Sequence, residues 1–295
     1  MRFLIKYIFI IISVLLFFPV NGVTADKIPV FVSIVPQKYF VQQIGKNLVD
    51  VRVMVKPGAN PATYEPKPRQ MADLSKAKIY FAIGVPFENT WLKKIAAANP
   101  KMKVIHTEHG IKKRPVAAHD HTDETHHHGK NAHGILDPHI WLSPPLVKIQ
   151  ARRILNGLLE IDPAHRNIYE ANYKQFEAGI DRLDADIKKI FMGRRGLRFM
   201  VFHPAWGYFA HTYGLEQVPI EIEGKTPKPA QLKKLIEHAR RSKIRVVFVQ
   251  PQFSAKSARL IAGEIGGRIT FADPLAEDWK ANLYEVADNF KAALK

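Results

Sequence analysis

Short apolar runs recur along this chain, separated by stretches with helical spacing. Pro29–Ser33 (PVFVS), Val51–Val55 (VRVMV), Ile79–Ile83 (IYFAI) and Lys103–His106 (KVIH) are short, β-branched and aromatic-rich, and read as strands. Gln37–Asn47, Lys67–Lys76 and Phe87–Ala98 read as helices between them. Strands that alternate with helices predict a mainly parallel sheet covered on its faces by those helices. A second set follows: Arg198–Phe202 (RFMVF), Gln217–Ile222, Arg245–Val249 (RVVFV) and Arg268–Phe271 as strands, with helices over Pro229–Ser242, Ala255–Ile265 and Asp278–Leu294.

One long helical pattern separates the two sets. Asp162 and Pro163 offer an N-cap and a first-turn proline. Ile168, Phe176, Ile180, Leu183, Ile187 and Ile190 then recur at helical spacing, and Gly193 supplies a stop. About 29 residues at 1.5 Å each make a rod of about 43 Å. The expected fold is therefore α/β: two lobes with mainly parallel sheets, 26–161 and 194–295, joined by a rigid helix over 162–193. No internal sequence repeat is strong enough to name.

The N-terminus changes the picture of where the chain works. Arg2 and Lys6 flank an apolar run from Ile8 to Val20, and Val23-Thr24-Ala25 is a small-residue pattern of the kind a signal peptidase cleaves. Residues 1–25 are read as a cleaved export signal, which predicts a periplasmic protein. The chain has no cysteine. A lipid anchor, disulfides and thiolate metal sites are thereby not expected, and a transition-metal site would have to use His, Asp, Glu or water. The formal charge of +17 falls to +15 without Arg2 and Lys6, but the basic residues are scattered among acids. With no arginine-rich arm and no basic stretch interleaved with aromatics, a nucleic-acid partner is not expected.

Histidine is the residue type that points to chemistry. Six histidines fall in Ala118–Gly134 (AHDHTDETHHHGKNAHG), a polar segment that cannot form a core and reads as a surface loop over 119–133. His139 differs, lying between Pro138 and the apolar Ile140-Trp141-Leu142. Three segments place a potential ligand at or just beyond a strand, where open α/β sheets bind their ligands. They are Asp137-Pro138-His139, His203 in Phe202–Trp206 (FHPAW), and Asp273 in Phe271–Leu275 (FADPL). Alone, a histidine after a strand or an aspartate before proline is usually structural. Two imidazoles and a carboxylate together can hold a divalent ion and leave a fourth position open.

The runs PGANPATYEPKP (Pro57–Pro68), LDPHIWLSP, FHPAWGYFAHTYGL (Phe202–Leu215) and ADPL, in that order, resemble the zinc- and manganese-binding solute-binding proteins of ABC importers, the ZnuA/TroA-like family. The resemblance spans nearly the whole chain after residue 25. It implies two α/β lobes around a rigid helix, an ion in the cleft between them, and delivery to a membrane permease by what is expected to be a monomer. It also implies that His139, His203 and Asp273 are the metal ligands. The loop before LDPHIWLSP is similar to that of the zinc branch. Manganese members usually carry Glu where His203 stands, so the implied cargo is Zn²⁺, with Mn²⁺ or iron as the alternative.

One position departs from the family pattern. The histidine that commonly precedes TYEP is here Ala62. The fourth ligand is then expected to be water or a histidine of the 119–133 loop, because Glu65 belongs to the family run even where that histidine is present. Tyr208 and His211, in the same matched run, are expected to pack their helix. No HExxH motif and no carboxylate with a claim to act as general base are present, so an enzyme is not expected. The remaining alternative is an extracellular metal buffer or adhesin acting through the histidine loop.

Overall fold

Val30, Phe31 and Val32 are all buried, as are Ile79 to Ala82 and Val246 to Val249. Continuous burial is what a parallel strand covered on both faces requires. The computed structural model describes residues 26–116, 136–222 and 224–293. The expected export signal and the histidine-rich loop lie outside these residues. Among them, no helix is long and apolar enough to cross a membrane.

The first sheet holds β1 (Ile28–Val32), β2 (Val49–Val53), β3 (Ile79–Ala82) and β4 (Lys103–His106), in the order β2-β1-β3-β4. The second holds β5 (Arg198–Val201), β6 (Glu216–Pro219), β7 (Val246–Val249) and β8 (Arg268–Phe271), in the order β6-β5-β7-β8. All pairings are parallel. The two orders correspond strand for strand, a likeness that the sequence does not display as a repeat. Each sheet reverses its winding between its first and third strands, and ligand crevices open beyond the carboxyl ends there.

Nine α-helices accompany the strands among the described residues: α1 (Val35–Gly45), α2 (Pro68–Leu74), α3 (Pro86–Ala98), α4 (Pro144–Ile161), α5 (Arg166–Ile190), α6 (Gly207–Tyr213), α7 (Pro229–Arg241), α8 (Lys256–Glu264) and α9 (Trp279–Ala293). Proline stands in the first turn of α2, α3, α4 and α7, where a missing N–H costs nothing. Helix α4 is one that the apolar pattern did not announce. It buries Val147, Ala151, Ile154, Leu155 and Leu158 and forms a hairpin with α5. Gly157 allows the approach to β3, since a Cβ there would stand 2.8 Å from a ring carbon of Phe81 and 2.9 Å from Ile79 Cδ1.

The long helix is shorter than its pattern. Pro163–His165 form one 3₁₀ turn, and α5 covers 25 residues, about 38 Å of rise. Asp162 does not cap it. Its Oδ2 accepts the Tyr169 hydroxyl at 2.6 Å and pairs with His165 Nδ1 at 2.7 Å, which leaves the carboxylate committed to side chains rather than to first-turn amides. At the other end Phe191 is the cap, and Gly193, in the left-handed region at φ +75°, follows it.

The lobes share a core. Phe199, Val201 and Phe248 point from the second sheet into the same apolar cluster as Phe40, Trp141, Tyr169 and Phe176, together with Trp279 and Phe290 of α9. The alternate residues Met200, Phe202, Val247 and Val249 face the other way, onto Leu235 of α7 and Ile261 of α8. Period-two alternation thus divides the second sheet between a private core and one common to the whole molecule. Trp279 meets Phe40 edge-on at 5.1 Å and donates its indole N–H to the Trp141 carbonyl at 2.7 Å. The indole of Trp141 in turn donates to the Pro274 carbonyl at 2.6 Å.

Candidate metal centre

His139 is fixed from both sides of its backbone. The buried tripeptide Ile140-Trp141-Leu142 forms a 3₁₀ turn directly after it. Before it, Asp137 Oδ1 accepts the His139 N–H at 2.9 Å and faces His139 Nδ1 at 2.7 Å. A carboxylate cannot donate, so the imidazole proton sits on Nδ1 and the Nε2 lone pair is free to ligate. Asp137 is itself buried, and Gly207 makes room for it: a Cβ there would stand 2.9 Å from Asp137 Oδ2. Burial lowers the His139 pKa below the ordinary imidazole value, with Asp137 opposing that shift. The neutral, ligating form is the stable one at neutral pH.

His203 is built the same way from the other lobe. It leaves β5 beside the winding reversal, and Gln250, leaving β7, spans that gap. The His203 N–H donates to Gln250 Oε1 at 3.2 Å, and Gln250 Nε2 donates to the His203 carbonyl at 2.5 Å. Its ring stacks on Phe253 at 4.7 Å, and its Nδ1 lies 2.7 Å from Oε1 of the buried Glu221. That carboxylate again leaves Nε2 free. The rings of His139 and His203 meet with centroids 5.2 Å apart and planes at 70°. Their side chains are 13% and 23% exposed, so the pair opens to solvent through a narrow face.

Asp273 is held apart from this pair. Its Oδ1 accepts Gln252 Nε2 at 2.8 Å and the Leu275 N–H at 2.9 Å, and its carbonyl accepts Asn282 Nδ2 at 2.8 Å. It does not join the two histidines in a set whose ligand atoms all lie within 4.8 Å of one another. Ala62 is exposed in a turn closed by its N–H on Asn60 Oδ1 at 2.8 Å, and Glu65 is exposed as well.

Three positioning residues were not legible as such. Asp137 reads in sequence as a turn acid. Glu221 reads as part of a strand, yet the β5–β6 register of Val201 with Pro219 carries His203 to Glu221 two residues later. Strand order is needed to see that pairing, and the sequence does not supply it. Tyr208 does more than pack α6: its hydroxyl accepts the Arg114 N–H at 2.9 Å and donates to the Asp137 carbonyl at 3.2 Å, tying the two lobes at the floor of the site. His211 is exposed.

Two facing imidazoles, each anchored through Nδ1 by a buried carboxylate, are the arrangement found around bound zinc-class ions. Comparison with known proteins agrees with this chemistry. A crystal structure titled as ZnuA superposes with a TM-score of 0.85 at 45% identity, covering 92% of this chain and all of that one. The high-affinity zinc uptake system protein ZnuA of Bacillus subtilis is 29% identical over 82% of this chain and 77% of its own length. The manganese ABC transporter substrate-binding lipoprotein PsaA of Streptococcus anginosus is 27% identical over 84% of this chain and 82% of its own. The family described as "ZnuA: Zinc-uptake complex component A periplasmic" matches residues 30–293. The chain belongs to that family, and it is a metal-binding receptor rather than an enzyme.

Proposed function

We propose that this protein captures Zn²⁺ in the periplasm, at Nε2 of His139 and His203, and hands it to the permease of an ABC importer. The single observation that carries this reading is the facing imidazole pair with both Nδ1 atoms committed to buried carboxylates. Nitrogen donors suit zinc better than manganese, which prefers oxygen-rich sites. Asp273 is the third ligand. Water or a histidine of the 119–133 loop fills the fourth position left by Ala62. In this reading residues 1–25 are removed on export, the chain works as a monomer without a lipid anchor, and the lobes are 26–161 and 194–295.

The family relatives named for zinc uptake support the cargo, and the shared core supports a receptor whose lobes move little. A competition titration of the mature protein with zinc tests the reading. One tight site is expected at neutral pH, and its absence overturns the proposal.

A further inference from the structure

A second group of ligand atoms lies on the first lobe, at the end of β4. His106 closes β4, and the chain turns back immediately through Thr107 to Gly110. The turn is built on a buried anchor. Thr107 is fully buried, its N–H and hydroxyl donate to the Ala82 carbonyl at 2.9 and 2.7 Å, and Gln37 Nε2 donates to its Oγ1 at 3.2 Å. The His109 N–H returns to the His106 carbonyl at 3.4 Å and the Ile111 N–H to that of Glu108 at 3.1 Å. Gly110 supplies the left-handed backbone, at φ +92°.

With Thr107 pinned, the side chains on either side of it gather on one spot. Ligand atoms of His106, Glu108 and His109 all lie within 4.8 Å of one another, the only such group of three among the described residues. The two imidazoles stack at 4.7 Å and 7°, and His106 Nδ1 lies 2.8 Å from Glu108 Oε1. The other carboxylate oxygen, Glu108 Oε2, is buried and has no hydrogen-bond partner among the described residues. A buried acceptor left without a partner is destabilising, and more so when it carries charge. The nearby Lys113 ammonium does not supply the partner, since it donates to the Gly84 carbonyl at 3.1 Å.

We propose that His106, Glu108 and His109 form a second site for a zinc-class divalent cation, separate from the His139–His203 pair. Zinc bonds of about 2.0–2.2 Å set tetrahedral ligand atoms roughly 3.4 Å apart. Closing to that spacing requires side-chain rotation, and His109, which stacks on His106, is exposed. Two imidazoles with one carboxylate select zinc, copper or nickel over magnesium or calcium. A cation bound at Glu108 also supplies the partner that Oε2 lacks. The site stands on the stretch of backbone that continues to the cleft: Arg114 receives the Asp137 N–H on its carbonyl at 2.8 Å and donates its own N–H to Tyr208.

Equilibrium dialysis of the full mature chain against buffered zinc sulfate, with metal counted per protein, tests the assignment. The histidines of 119–133 contribute equally to every variant. The H106A/H109A double variant is expected to lose one equivalent of zinc, and to lose it again in a His203→Ala background, which separates this site from the cleft. Equal stoichiometry with and without the double substitution, in both backgrounds, overturns the proposal. His109→Ala alone removes an exposed side chain, so its fold is preserved, and it is expected to weaken this equivalent at least tenfold. Anomalous diffraction at the zinc edge from zinc-soaked crystals gives the second reading. A peak bonded to His106, Glu108 and His109 supports the site, and peaks confined to other residues overturn it.

Discussion

His139 and His203 approach from opposite lobes with ring centroids 5.2 Å apart, and each turns its Nδ1 away from the other, toward Asp137 and Glu221 respectively. The carboxylates do two things at once. They hold each ring in place, and they fix the tautomer that leaves Nε2 unprotonated. Replacing either acid by its amide keeps the shape and removes the charge, and an amide can present an N–H to the ring nitrogen. Asp137→Asn and Glu221→Gln are each expected to weaken zinc binding about 10- to 100-fold, as read by chelator competition. Affinity within twofold of the parent in both would contradict the positioning role.

The response to pH follows from the burial of His139. Its pKa lies below the ordinary imidazole value because burial disfavours the charged ring, and the attraction of Asp137 only partly offsets this. At the proposed site zinc and protons compete for Nε2, so binding is expected to be lost as pH falls through the pKa of the metal-free imidazole. Affinity is therefore expected to stay level across neutral pH and to drop only in the acidic range, by about tenfold per pH unit for each histidine that takes a proton. Titrations from pH 8 to pH 5 check this. A steady fall beginning above pH 7 would place the controlling group elsewhere.

Trp279 links the lobes by bonding and by packing. Its indole N–H donates to the Trp141 carbonyl, and its ring meets Phe40. Trp279→Phe keeps an aromatic ring but leaves a buried carbonyl without its donor, an expected loss of about 1–3 kcal/mol. The thermal midpoint should fall by several degrees. Because Trp141 follows His139 by two residues, zinc affinity should fall as well. A lowered midpoint with unchanged affinity would separate lobe cohesion from the site.

Ala62 stands where the family pattern has a histidine, and its loop is exposed. Ala62→His restores a nitrogen donor at the position left to water or to the histidine loop. Zinc affinity is expected to rise at least tenfold in a competition titration. No gain would mean that this turn does not reach the cleft when metal is bound.

The strands and most helices were legible because parallel strands buried on both faces leave continuous apolar runs, as in Val246–Val249. The helix α4 was missed although Ser143 and Pro144 offer a start signal: the Ser143 side chain makes no cap, and only a single 3₁₀ turn separates α4 from α5. Asp162 was misjudged as a cap because its partners, His165 and Tyr169, lie within the helical pattern itself. Of the proposed site, the candidates His139 and His203 were visible from their place at strand and loop ends, whereas Glu221 depends on the pairing of β5 with β6. The turn carrying His106, Glu108 and His109 has no apolar period to mark it, and its ordering by Thr107 depends on Ala82, a residue of another strand.

The most direct test of the account is a zinc titration of the mature, metal-free protein beside His203→Ala, with manganese in parallel. The account predicts a tight zinc site in the parent, preferred over manganese, that His203→Ala weakens by at least a hundredfold. Zinc binding of equal strength in both proteins would contradict it, because the ion would then be held without the imidazole pair.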